Sequence, residues 1–462
     1  MNRVTRPALL SMICISALLA TGWGSTALQA AVPGQVSDGG SPRTNGERSA
    51  TPELAVTRGG SGSAKVSRPS ADGRPTSRTE RDVTLSSYDA KAGRAVLTHG
   101  GTRAPGIRKG DVIASPPAAA APAGALVKVT RVRSESAGRT EVATAPAKLA
   151  DVLGSSKAEG KIPVAPSAWD VTPQLKSLDV TRGIAGRAQE SSPRGIGGGA
   201  DGRKLRIEFG TELPMFGGKP GLERETKVGG FLEMAPSVGF SYDGKGSADP
   251  ADASASVNVS GPWKAGWRIK GPVKLPRTAP RIPIATLAAY PVVMVGTVPV
   301  VVALKLSLVL EVRADGTLNV DVDQTSGGSM KVGTRHTEAA GWKPDRHADG
   351  KTRTGGTAKV SGNGELRTML GPEASISLYD TVGVDAFFGP YLRAKARQPE
   401  PASTVGEKRG GTWKLNGGVT LETSLFAGLP FTVIGIRPQD RVVFPVVTRE
   451  WPIADGRIPP GA

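Results

Sequence analysis

The sequence predicts a mainly β protein: an antiparallel sandwich or extended two-layer sheet, with a small β-containing N-terminal module and disordered linkers. Three observations predict it. Short apolar runs alternate with polar residues at period two, Gly, Pro and Asp-Gly signals punctuate them, and no convincing helix separates them in the long C-terminal region. Many strands without intervening helices exclude a parallel α/β architecture.

The elements follow in chain order. Arg3 and Arg6 precede an apolar run over residues 8–20, and small residues continue to Ala30 and Ala31. That is the pattern of a secretory signal, expected over residues 1–30, since about 13 apolar residues fall short of the ~20 needed to span a bilayer. The single cysteine, Cys14, lies inside it. A processed chain would therefore fold on burial alone, without a disulfide, a thiol nucleophile or a cysteine metal site.

Residues 31–81 read as a disordered linker, because up to Glu80 only Val32, Val36, Leu54, Val56 and Val66 offer large aliphatic surface. A small module is expected over 82–153, with strands at 111–115, 125–132 and 140–145. Pro146 is placed as the first helical residue ahead of a short helix at 148–153. Residues 154–203 read as a second linker, with Trp169 as an anchor. The formal G-x-G-x-x-G on Gly197, Gly199 and Gly202 follows no apolar strand and is not read as a dinucleotide site.

A large antiparallel β-domain is expected over 204–458. It opens with Leu205, Ile207 and Phe209, continues through Val238, Phe240 and Tyr242, then Val257 and Val259. Further strands are expected at 374–379, 382–388, 412–415, 419–425, 431–436 and 442–447. Residues 282–304 carry no charge and mimic a membrane span, yet Pro283, Pro291 and Pro299 interrupt them and valine dominates. They run into a strict alternation of Leu304, Leu306, Leu308, Leu310 and Val312 with polar residues, which points to buried sheet. Asp315-Gly316 is expected to turn the chain, with Leu318, Val320 and Val322 on a returning hairpin arm. Leu275-Pro276-Arg277-Thr278-Ala279 looks like a sortase signal, but its position far from the C-terminus argues against anchoring.

Candidate chemistry is thin. The three histidines, His99, His336 and His347, form no H-E-x-x-H, and no serine stands in G-x-S-x-G. No catalytic residue, metal ligand set or cofactor is assigned. His336 and His347 share a polar stretch, 324–365, read as solvated loop. Asp321 and Asp323 share a strand face but lack the spacing of a calcium loop. Trp263, Trp267, Trp342, Trp413 and Trp451 are read as core or rim packing in preference to a carbohydrate-stacking face. The net charge of +18 falls by two without Arg3 and Arg6. Such a surplus on an exported chain favours anionic wall polymers or anionic lipid surfaces, with no specific nucleic acid. The basic loop expected to contact them comprises Lys331, Arg335, Trp342, Lys343, Arg346, Lys351 and Arg353.

Two sets of segments carry a resemblance. GDVIASPPAAAAPAGALVKVTRV with EVATAPAKLADVL, and YPVVMVGTVPVVVALKLSLVLEVRADGTLNVDV with AGWKP and FFGPYLRAKA, resemble recurrent segments of uncharacterised secreted bacterial proteins, often actinobacterial. In those a small N-terminal β-module precedes a large β-domain. The resemblance implies an extracellular β-architecture and no activity or functional residue. The expected function is a secreted, non-enzymatic, extracellular or wall-associated binding or structural protein. A membrane-active protein inserting the hairpin 298–323 and a secreted polysaccharide hydrolase are the alternatives.

Overall fold

The long polar-apolar alternations of the C-terminal region become strands of unusual length. The computed structural model describes residues 53–459 apart from 61, 69–75, 79–82, 101–105, 137, 184–203, 214–225, 245–252, 275–280, 338–340, 353–355, 399–409 and 428–441. The expected signal peptide, the glycine-rich cluster, the sortase-like pentapeptide, the strand at 431–436 and Arg353 lie outside the described residues. Within them the chain is nearly all strand, in one large sheet, antiparallel except where Glu53–Leu54 runs parallel to Lys157–Pro163, and one seven-stranded sheet.

The small sheet orders its strands as Thr76–Arg78, Lys65–Arg68, Val112–Ser115, Ala125–Ser136, Arg139–Pro146, Arg94–His99 and Val83–Asp89. The backbone N–H of Ala64, beside the second strand, donates to the carbonyl of Val83 in the last at 2.7 Å. The sheet therefore curls around its own core of Val83, Leu97, Ile113, Val127 and Val142. Val112, Ala114 and Leu126 point the other way and join the large core. Strands stand where the alternation put them. Pro146, however, closes a strand, and the helix is Ala150–Leu153, its first turn held by Asp151 Oδ2 accepting from the Lys148 N–H at 2.9 Å.

Both expected linkers need correcting. Glu53–Leu54, Val56–Gly59 and Lys65–Arg68 are strands, and so are Lys157–Pro163, Asp170–Pro173 and Leu178–Gly183. Val56–Gly59 pairs with Val292–Val295, and Lys157–Pro163 with Ser237–Asp243. These segments are too poor in apolar residues to build a core, but they find one already made and only add strands to it. Ala50–Ala462 form one compact unit.

The large sheet is organised by three long neighbouring arms. Ser254–Val273, Arg281–Ala289 and Val292–Val295 lie end to end and pair antiparallel with the 40-residue strand Val298–Thr337. On its other edge that strand pairs with Gly341–Ala348, Lys351–Thr352 and Thr357–Leu378. Val382–Arg397, Gly411–Ala427 and Val447–Ile458 extend the sheet from there. The valine-rich segment is buried strand: Val300, Val301 and Val302 are 0% exposed. No described helix is long and apolar enough to cross a membrane.

Asp315-Gly316 does not turn the chain back. The strand passes through it, and Leu318, Val320 and Val322 continue forward instead of returning. Gly316 (φ 86°) instead lies in a row of positive-φ glycines that crosses all three arms. Gly364 is its direct partner, Gly362 (φ 103°) pairs with Leu318, and Gly271 (φ 128°) pairs with Val320. Only glycine takes this backbone without strain.

The row is a crease. Trp263, level with Gly328, meets Phe388 edge-on at 5.5 Å between ring centroids, and Phe388 sits beside Gly371, level with Val309. Arg346 Nη1, level with Val332, donates to Thr423 Oγ1 at 2.9 Å, level with Leu306. Trp451 Nε1, level with Val312, donates to Thr352 Oγ1 at 2.7 Å, level with Ser326. All three contacts straddle Leu318 and Asn319 symmetrically. Along an extended strand those levels would lie roughly 45–85 Å apart. The three arms therefore fold over at the glycine row, and one sheet packs on itself as two layers, with strands turning the corner by local bends.

Candidate binding trough

Folding the sheet over leaves two outer faces with different chemistry. The second layer, made of residues 281–314 and 365–378 with the strands Val382–Arg397, Gly411–Ala427 and Val447–Ile458, curls so that its outer face forms a trough of about 1100 Å³. Asp170 and Thr172 stand at one wall and Val443 at the other. A second hollow of about 410 Å³ continues from it and shares Glu311, Arg313, Met369 and Glu422.

Strand alternation places polar side chains here because their neighbours at i±1 fill the core. Glu311, Arg313 flank Val312; Glu365, Arg367 flank Leu366; Arg393, Lys395 flank Ala394. All three central residues are buried. Register then sets Arg313 opposite Arg367, and Arg367 opposite Arg393, so three guanidinium side chains leave adjacent strands at one level. With strands about 4.8 Å apart, this row needs compensation.

The flanking arginines receive it. Arg313 Nε lies 2.5 Å from Glu311 Oε1, and Arg281 Nε lies 3.7 Å from Glu311 Oε2. Arg281 also pairs with Glu373. Arg393 Nε lies 2.5 Å from Glu365 Oε1, and its Nη1 lies 3.6 Å from Glu450 Oε2. Lys395 Nζ reaches Glu365 Oε2 at 3.0 Å. Glu450 also accepts from Tyr391 Oη at 2.8 Å and from Asn416 Nδ2 at 2.6 Å.

Arg367, in the centre, is held differently. Its guanidinium lies over the Tyr391 ring at 4.1 Å, and its Nη2 donates to Thr420 Oγ1 at 3.3 Å. Its Nε is buried without a hydrogen-bond acceptor. Among the described residues no carboxylate lies within ion-pairing distance of it.

The electrostatics follow from these contacts. Burial pushes the Glu365 carboxyl up, but hydrogen bonds from Arg393 and Lys395 outweigh it and hold the group below the usual carboxylate range. Glu450 behaves alike, burial being outweighed by Asn416, Tyr391 and Arg393. Burial, then the Glu450 carboxylate, push the Tyr391 hydroxyl up to about 12. A glycosidase-type general acid needs a carboxyl pushed upward; these two move down.

The sequence-derived basic residues lie elsewhere. Far from being a loop, residues 326–337 and 341–352 pair as strands on the first layer, because polar residues on an outward sheet face still complete a ladder. Lys331, Arg335, Lys343 and Lys351 share the outward side. Lys331 Nζ pairs with Asp345 at 2.6 Å, while Arg335 and Lys343 face each other directly across the strands. Arg346 points the opposite way, between the layers, reaching Thr423 and lying 5.8 Å from the centre of the Phe444 ring. Trp342 pairs with His336 in register.

The two histidines do not meet: His336 is buried at 1% exposure, whereas His347 is exposed and 3.3 Å from Asp349. The Asp349 carboxyl is held low, chiefly by the Ser329 backbone N–H and then by His347. Asp321 lies opposite Lys270 and Lys359, and Asp323 opposite Arg268, so basic neighbours flank both. Trp263 and Trp267 are core, while Trp413 and Trp451 pack at its margin.

The trough residues were missed because the side chains that meet there stand 26 to 54 positions apart on their paired strands, as Arg313, Arg367 and Arg393 do. A signal did exist: Glu311-Val312-Arg313 and Glu365-Leu366-Arg367 repeat one charge pattern on strands that turn out to be neighbours. Fold and site together define a nearly all-β chain, folded over on itself, with a charged trough on one outer layer. No protein-family model, curated protein or solved structure matches it.

Proposed function

We propose that this chain is an exported, non-enzymatic binding protein of the extracellular or wall-associated kind, held near anionic polymer by its charge and using the trough to engage its ligand. One observation supports the reading: the trough's charges are already locked to one another across five strands, so a polar ligand meets a surface pre-organised to receive it. The signal-like N-terminus, the +18 net charge and the resemblance to secreted actinobacterial-type β-proteins support the location. A membrane-inserting hairpin at 298–323 would have to offer lipid an apolar face, but Leu304, Leu308, Leu310 and Val312 are at most 2% exposed.

Sedimentation of the purified protein with isolated cell walls tests the proposal. Co-sedimentation at low salt that is lost at high salt is expected, because surface charge attraction is screened within about 10 Å at 0.1 M salt. A protein that stays in the supernatant at low salt overturns it.

A further inference from the structure

We propose that Arg367 is the centre of an oxyanion subsite in the hollow of about 410 Å³ that continues the trough, taking one singly charged group, a phosphodiester or a carboxylate. The inference deepens the binding reading above and rests on it.

The argument begins with what Arg367 lacks. A guanidinium carries five N–H donors in a planar fork. Here one Nη2 donor is spent on a threonine hydroxyl, one ring covers a face, and Nε is buried without an acceptor. Arg367 as a whole is half-buried, but a cation whose Nε is buried with no acceptor and which has no counter-ion loses free energy that a bound anion would partly restore. Its strand neighbours show what compensation looks like, since Arg313 and Arg393 each bind a carboxylate at 2.5 Å. The fixed stacking on Tyr391 holds the fork in one plane, the arrangement that suits bidentate recognition of a planar carboxylate or two phosphate oxygens.

Charge decides the valence. Glu311, Glu365, Glu373 and Glu450 are committed to Arg313, Arg281, Arg393 and Lys395, four carboxylates to four cations. One positive charge is then left at the middle of the row. Glu422 lines both hollows and disfavours a second negative charge nearby. A monoanion fits this balance, whereas a phosphomonoester or pyrophosphate dianion does not.

The test is calorimetric titration of the full chain with two probes, oligo(glycerol phosphate) and oligogalacturonate. Wild type is expected to bind at least one, and which one identifies the source of the oxyanion. Arg367→Lys keeps the charge but loses the fork, and about tenfold weaker binding is expected. Thr420→Val leaves every ion pair intact, and roughly threefold weaker binding is expected. It serves if the lysine variant fails to fold. Binding of neither probe by wild type, or affinity unchanged in both variants, overturns the subsite. If wall sedimentation of the variants stays salt-sensitive while probe affinity is unchanged, the subsite fails and the wall-binding reading survives. If wild type binds a probe but never sediments with walls, the reverse holds.

Discussion

The two outer faces of the folded sheet lie on opposite sides of one crease and share the same three arms, which Val382–Arg397, Gly411–Ala427 and Val447–Ile458 extend on the second, yet they organise charge differently. On the first layer Lys331, Arg335, Lys343 and Lys351 stand out towards solvent, and Arg335 and Lys343 oppose each other. On the second, Arg313 and Arg393 are clamped by carboxylates from other positions on the sheet, and Arg367 by an aromatic ring. The first face is a patch by sequence proximity. The second is a site by register, and only register can place three arginines from residues 313, 367 and 393 side by side.

That comparison is broken most severely at the crease. A side chain at Gly316 would put its Cβ 2.2 Å from the Asn363 carbonyl oxygen, on a backbone with φ 86°. Gly316→Val is expected to cost about 3–5 kcal/mol and to separate the layers. Urea denaturation should show the loss, and near-ultraviolet dichroism the release of Trp263 and Trp451. Next comes the contact between layers itself. Trp263→Ala removes the ring against Phe388 and is expected to cost about 3–4 kcal/mol, read as a lower urea midpoint at unchanged slope.

Smaller effects sharpen the contrast between the faces. Glu365 and Glu450 have folded pKa values below their unfolded ones, so their contribution is fully present above about pH 4.5 and fades as pH falls through the folded values. Both are about one-third exposed, which keeps each contribution near or below about 1 kcal/mol. Arg393→Met is therefore expected to lower stability at pH 7 and to flatten the loss between pH 5 and 3, as followed by melting temperature against pH. A variant with the same pH profile as wild type would contradict the clamp. On the first layer the sign reverses: Lys343→Ser relieves a like-charge pair and is expected to stabilise by about 0.2–0.5 kcal/mol at low salt. The gain should vanish at 0.5 M salt.

Much of the fold was legible in these residues. Alternation from Leu205 to Phe209, and from Val238 to Tyr242, needs only the pleat to become strand, and 282–304 declared itself sheet through its prolines and valines. The Asp315-Gly316 signal misled because a positive-φ glycine permits either a turn or a bend. Which one forms depends on whether the neighbouring strands carry glycine close to that level, as Gly364 opposite Gly316, Gly362 opposite Leu318 and Gly271 opposite Val320 do. The linkers misled for a related reason. Val56 and Ala158 cannot make a core but can be covered by one, and local composition does not report what covers it.

The sequence by itself determined the all-β class, the strand faces and the surplus of positive charge, since each depends on residues within a few positions of one another. Tertiary structure alone decided where the sheet creases and which arginines become neighbours. Those depend on pairing between residues 26 to 54 positions apart, where one residue of register moves a side chain to the other face.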